Sequence, residues 1–143
     1  MTLPPDPVRA QTAPVLPAVL PTLSAAPAAF RPLDGVRVVE FSQMVMGPTC
    51  GVILADLGAD VVKVEPSKGD RTRFFRGPAA GFFANYGRNN RSVAIDTSTP
   101  EGQAVVKRLA AEADVLIENF RPGLLARFGL DYASVSALAP RLI

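Results

Sequence analysis

Along this chain, short runs of β-branched residues alternate with stretches whose apolar positions recur every three or four residues. Val36-Arg37-Val38-Val39-Glu40-Phe41 follows an Asp34-Gly35 turn and predicts a strand. Gly47-Pro48 opens a predicted helix whose body runs from Thr49 to Leu57. Its proline stands in the first turn, where a missing N–H costs little, and Gly58 supplies the C-terminal cap. Val61 to Glu65 reads as a second strand, closed by Pro66 and the turn Ser67-Lys68-Gly69-Asp70. The spacing of strand, helix and strand is that of a right-handed βαβ unit.

The segment from Pro66 to Gly81 has neither period, and Gly81 to Tyr86 predicts a short helix. Ser92 to Asp96 is a third strand. Thr99-Pro100-Glu101 then signals a helix start, with an N-cap hydroxyl, proline at the first position and an acid in the first turn. The helix Pro100 to Glu112 places Val105, Val106, Leu109 and Ala113 on one face. Asp114 to Glu118 is a fourth strand. Pro122 to Phe128 reads as another short helix with Gly129 after it, and Ala133 to Leu138 as one or two helical turns more. Arg141-Leu142-Ile143 looks like the opening of a fifth strand. The alternation predicts an α/β fold with a Rossmann-like parallel sheet, incomplete at its C-terminal end.

Composition changes this picture mainly at the amino end. Residues 1–32 carry prolines at 4, 5, 7, 14, 17, 21, 27 and 32, several alanines and no glycine. Proline at that density interrupts helices and central strands, so 1–32 reads as a disordered, partly polyproline-like leader and 33–143 as the folded domain. A secretory signal would need an unbroken apolar run, which Pro14, Pro17 and Pro21 break. The net charge of +2 is too small to imply a nucleic-acid partner. One cysteine, Cys50, excludes an internal disulfide framework, and with no histidine a zinc site is not expected. No apolar run reaches membrane-spanning length, so the expectation is a soluble, cytoplasmic protein.

Candidate chemistry gathers at strand ends, where open α/β sheets hold their ligands. The fourth strand ends in Glu118-Asn119-Phe120-Arg121-Pro122-Gly123, which offers an acid, an amide, a ring and a guanidinium. A purine could stack on Phe120, with phosphates met by Arg121 and Arg127; the alternative is a loop shaped by Pro122-Gly123, with Asn119 satisfying nearby backbone. After the first strand stands Phe41-Ser42-Gln43-Met44-Val45-Met46-Gly47-Pro48, without the Gly-x-Gly-x-x-Gly of dinucleotide sites. The helix beginning there could still turn its amides to an anionic or carbonyl group. Arg71, Arg73, Arg76, Arg88 and Arg91 are interleaved with Phe74, Phe75, Phe82, Phe83 and Tyr86. That pattern suits a nucleotide-like partner, or equally a loop whose rings pack while its arginines stay solvated. Cys50 reads as a packed small hydrophobe. No complete catalytic constellation is visible.

Six ordered motifs together resemble the class III CoA-transferases of the CaiB/BaiF type, with α-methylacyl-CoA racemase as a relative. They are Leu33-Asp34-Gly35-Val36-Arg37-Val38, Gly47-Pro48, Leu54 to Glu65, Arg88-Asn89-Asn90-Arg91-Ser92, Thr99-Pro100-Glu101-Gly102 and Glu118 to Gly123. The resemblance implies a Rossmann-like large domain, an interlocked homodimer, and transfer of coenzyme A between carboxylic acids through an aspartyl-CoA thioester. CoA is then a substrate, with no tightly bound cofactor. It also implies CoA contacts at Ile95, Asp96, Thr97 and Ser98, at Asn119, Phe120 and Arg121, at Arg127, and at Val45 and Met46. Where the family often has a phosphate-reaching arginine after the Lys-Val-Glu strand, this chain has Pro66, so Lys68 or Arg71 is expected to substitute. The nucleophilic aspartate of the pattern lies beyond Ile143, so the chain is expected to be an N-terminal part without catalytic residues of its own. An acyl-CoA racemase, a non-catalytic CoA- or nucleotide-binding module, and a single-strand nucleic-acid binder are the alternatives.

Overall fold

A computed structural model describes residues 31–143. The leader expected over 1–32 lies outside them except for Arg31 and Pro32. Arg31 already touches the fold, its guanidinium donating to the Gly58 carbonyl at 3.3 Å.

Four strands form one parallel sheet: β1 (Arg37–Phe41), β2 (Asp60–Glu65), β3 (Arg91–Ala94) and β4 (Val115–Glu118). Their order is β3-β2-β1-β4, so the chain winds outward from β1 in one direction and then crosses back to the other side. The helices are α1 (Met46–Asp56), α2 (Phe82–Tyr86), α3 (Pro100–Glu112) and α4 (Tyr132–Leu138). Ile143 continues the sheet beyond β4: its carbonyl accepts from Leu116 N–H at 2.8 Å and its N–H donates to the Asp114 carbonyl at 3.1 Å. That is the start of the fifth pairing anticipated from Arg141-Leu142-Ile143.

Side chains alternate across β1 and so build two cores. Val39 and Phe41 join Val64, the α3 residues Val106 and Ala110, and Leu130 and Val135. Val38 joins Val61, Ile117 and, from α1, Leu54 and Ala55. The α3 face differs from the expected one: Val106 and Ala110 are fully buried, whereas Val105 is exposed, because Gly102, Val106 and Ala110 form the row that meets the sheet.

Helix ends follow their local chemistry. Thr99 Oγ1 accepts from Gly102 N–H at 3.1 Å, the expected N-cap of α3. At the end of α1, Gly58 N–H donates to Ala55 O and Ala59 N–H to Leu54 O, the paired bonds of a Schellman cap. The helix expected over Pro122–Phe128 is instead a short 3-10 turn, Leu125–Phe128, since Pro122-Gly123 starts with a turn and Gly129, at φ +64°, stops the chain again. The irregular stretch after β2 contains 3-10 turns at Arg71–Phe74 and Gly77–Ala79 before α2. None of the described helices is long and apolar enough to cross a membrane.

Candidate ligand cleft and a buried charge network

The carboxyl ends of the four strands open onto a cleft of about 320 Å³. Its apolar wall is Phe41, Val64, Ile95, Phe120, Leu125 and Phe128; its polar groups include Ser42, Ser67, Asp96, Thr97, Ser98 and Arg127. Of the residues expected to meet CoA, the fold brings Ile95, Asp96, Thr97, Ser98, Phe120 and Arg127 into this cleft. Val45, Met46, Asn119 and Arg121 lie outside its lining. Met46 is 76% exposed at the start of α1, and Val45 is the residue before that helix, its carbonyl accepting from Thr49 N–H at 2.8 Å.

The Asp96–Ser98 loop is held firmly. Asp96 accepts from Ser98 N–H at 3.0 Å and from the Ser98 hydroxyl at 2.6 Å, and these bonds hold its carboxyl below the usual aspartate value. Thr99 Oγ1 donates to the Asp96 carbonyl at 3.0 Å, and Gln103 Nε2 to the Thr97 carbonyl at 3.2 Å. Only glycine fits at 102, because a Cβ there would collide with the Asp96 carbonyl oxygen. The Thr99-Pro100-Glu101-Gly102 motif therefore seats the first turn of α3 directly against a wall of the cleft. Arg127 has no carboxylate within ion-pair distance among the described residues, which leaves its guanidinium available to an anion.

The arginine-aromatic segment is largely self-satisfied. Arg73 pairs with Glu65 at 2.6 Å and lies 3.7 Å over the Phe83 ring. Arg88 pairs with Asp56 and Arg91 with Asp60. Phe82 meets Phe75 and Tyr86 edge to face, with centroids 5.8 and 5.5 Å apart. Phe75, Phe82 and Tyr86 thus pack on one another, whereas Phe74 is 66% exposed. Lys68 and Arg71, expected to replace the missing phosphate-reaching arginine, are exposed and not part of the cleft lining. Cys50 is likewise exposed, contrary to its reading as a packed residue.

Sequence reasoning missed a cluster of buried charges beside the cleft. Glu40, Lys63, Glu65 and Asp70 are each at most 4% exposed. Lys63 Nζ donates to Glu40 Oε1 at 2.8 Å and to the Ser42 carbonyl at 2.9 Å, and it lies 3.3 Å from Asp70 Oδ2. The Ser42 hydroxyl donates to Glu40, and Asn90 Nδ2 reaches Glu40 Oε2 at 3.0 Å. Glu65 accepts from Arg73 Nε (2.7 Å) and Nη2 (2.6 Å), Ser92 Oγ (2.7 Å) and Asp70 N–H (2.7 Å). Burial alone would raise its pKa, but the bonds from Arg73, Ser92 and Asp70 prevail and lower it from 4.5 to about 2. All the strong acceptor positions of Glu65 are thus used internally. The acid ending the second strand of a dinucleotide-binding Rossmann unit reads a ribose hydroxyl; this one is not free to do so. The signal was available: aligning Val38-Val39-Glu40 with Val61-Val62-Lys63 sets opposite charges side by side within two apolar strands. Among the described residues no group of three or more acids, histidines or cysteines could hold a metal ion.

The sequence profile of CoA-transferase family III matches residues 33–143. The chain belongs to CoA-transferase family III. It is 46% identical over 123 residues to a succinate–glutarate CoA-transferase of Agrobacterium fabrum, covering 78% of this chain and 31% of that protein. It is 48% identical over 119 residues to a succinyl-CoA–D-citramalate CoA-transferase of Chloroflexus aurantiacus, covering 79% and 29%. The crystal structure of a CAIB/BAIF family protein from Brucella suis superposes with a TM-score of 0.75 at 48% identity, over 78% of this chain and 32% of that one. The family III chain thus spans about 30% of the length of the relatives it matches. The matched residues 33–143 contain all four strands and the strand-end cleft of this chain.

Proposed function

We propose that this family III chain supplies the CoA-holding frame of a CoA-transferase that moves coenzyme A between carboxylic acids. The observation that carries the reading is the cleft itself. An apolar wall with Phe120 and Phe128 offers a face to the adenine ring, the Asp96–Ser98 loop offers hydroxyls and an acid to sugar hydroxyls, and Arg127 offers an uncommitted guanidinium to phosphate. The substrates to try first are those named for its relatives, succinyl-CoA as donor and short dicarboxylic acids as acceptors.

In this reading an aspartate outside Leu33–Ile143 performs the covalent step. Its carboxylate attacks the acyl carbon of the donor thioester, releasing the CoA thiolate and leaving a mixed anhydride. The thiolate then attacks the aspartyl carbonyl, which frees the donor acid and forms the aspartyl-CoA thioester. The acceptor carboxylate then attacks the aspartyl thioester carbonyl, releasing the CoA thiolate and forming a second mixed anhydride, and the thiolate attacks the acceptor's acyl carbon, giving the new thioester and freeing the aspartate. In this reading the working enzyme is also a cytoplasmic, interlocked homodimer, which the family resemblance supports. Calorimetry tests the binding half of the proposal. CoA is expected to bind the chain, and Arg127→Ala to weaken binding about tenfold, the loss of one charge-assisted contact. Absence of CoA binding, or an unchanged affinity in Arg127→Ala, overturns it.

A further inference from the structure

The connection between β1 and α1 is held from two sides. The last pairing of β1 with β4 joins Phe41 to Glu118. Beyond it, the Asn119 side chain takes over the work of a neighbouring strand. Its Nδ2 donates to the Gln43 carbonyl at 2.8 Å and its Oδ1 accepts from Gln43 N–H at 2.9 Å. One primary amide thereby satisfies both backbone groups of a residue that no strand covers. From β2, Lys63 Nζ holds the preceding carbonyl, that of Ser42, at 2.9 Å.

Immediately after the clamped residue, Met44 has φ +68°. A non-glycine residue in this left-handed region costs about 1 kcal/mol or more, and such a conformation persists only where the surroundings over-determine it. The packing at Gly47 shows how closely the parts meet. A Cβ there would collide with Ser42 and approach Asn119 Cγ to 3.1 Å. The loop then enters α1 through Val45, whose carbonyl accepts from both the N–H and the hydroxyl of Thr49.

We infer that Asn119 is a positioning residue: its amide locks Gln43, stabilises the left-handed turn at Met44, and so sets the β1–α1 connection, whose Ser42 and Gln43 line the cleft. The inference rests on the CoA-holding function proposed above and assigns Asn119 to the loop rather than to the ligand. It couples two strand ends, those of β1 and β4, whose residues are 76 apart in sequence.

Amide hydrogen exchange and CoA titration on the same chain separate the alternatives. In the ligand-free chain, Asn119→Ala is expected to speed exchange of Gln43 N–H at least tenfold while the Val39 and Val62 amides stay as in the parent. CoA affinity is expected to fall about tenfold, the effect of losing two neutral hydrogen bonds. Asn119→Asp keeps the acceptor for Gln43 N–H and loses the donor, so it should recover much of the Gln43 protection with an intermediate affinity; it also serves if the alanine variant does not fold. Adding Met44→Gly to Asn119→Ala should restore part of the affinity, since glycine removes the strain that the clamp offsets. A loss of affinity with Gln43 exchange unchanged in the free chain would mean direct ligand contact and overturns the inference. If the parent chain binds no CoA, the proposed function fails on its own, and Gln43 exchange still decides whether the clamp exists.

Discussion

The two faces of the sheet solve different problems. On the α3 side, Val39, Phe41 and Val64 meet Val106, Ala110 and Leu130 in an apolar layer. On the α1 side, the neighbouring positions Glu40 and Lys63 bring opposite charges into direct register within the sheet, with Ser42, Asp70 and Asn90 completing the bonds. An apolar layer stabilises in proportion to area and accepts many near-equivalent packings. A buried ion pair contributes little net stability over an apolar substitute, but it penalises every arrangement that leaves a charge unpaired. In this family III chain the charged face lies where geometry matters, because Lys63 holds the Ser42 carbonyl at the root of the β1–α1 loop and Glu65 holds Asp70 and Arg73 beside the cleft.

The comparison breaks most sharply at Lys63. Lys63→Met strands the Glu40 and Asp70 carboxylates without their cation and is expected to destabilise the chain by roughly 3–5 kcal/mol, measured by chemical denaturation. Replacing Glu40 by Leu and Asp70 by Asn in the same chain should return much of that loss. A cost near zero for Lys63→Met alone would show that the charged face is as tolerant as the apolar one.

Acid titration sharpens the same contrast without mutation. The folded Glu65 pKa, about 2, lies below its ordinary 4.5, so its contribution is fully present above pH 4.5 and is lost as the pH falls toward 2. On the order of 3 kcal/mol of stability is expected to disappear across that window. Arg73→Ala should flatten the dependence, because it removes the guanidinium that donates two of the four bonds to the ionised carboxylate. The apolar face predicts the smallest effect. Val106→Ala, at a fully buried site, is expected to cost about 2 kcal/mol independently of pH, from lost methyl burial and the small cavity left behind.

Much of the fold was legible from the chain. Thr99-Pro100-Glu101 marked the start of α3, and Gly58 marked the end of α1, because caps depend on residues a few positions apart. The cleft was legible in part. Ile95 to Ser98, Phe120 and Arg127 converge there because each follows the carboxyl end of a parallel strand or the turn after it, which the alternation of elements already implied. The sequence left Asn119 between a ligand contact and a loop residue satisfying backbone groups; its amide spans to Gln43, and nothing local to either residue announces a contact over that separation. The α3 face was misjudged at Val105 for a related reason. Periodicity locates an apolar stripe, whereas the angle at which a helix meets its sheet selects the row that is buried.

The order of hydrophobic and polar residues by itself determined that this chain is a parallel α/β unit with its chemistry at strand ends, since strand and helix periods, caps and turns are short-range properties. Tertiary structure alone decided which charged and amide groups are bonded within the chain: Arg73, Arg88 and Arg91 to carboxylates, Glu65 to its four donors, and Asn119 to a loop. The reason is physical. A charged or amide group commits to whichever complementary partner folding places within hydrogen-bond distance, and the partners found here come from other strands and loops.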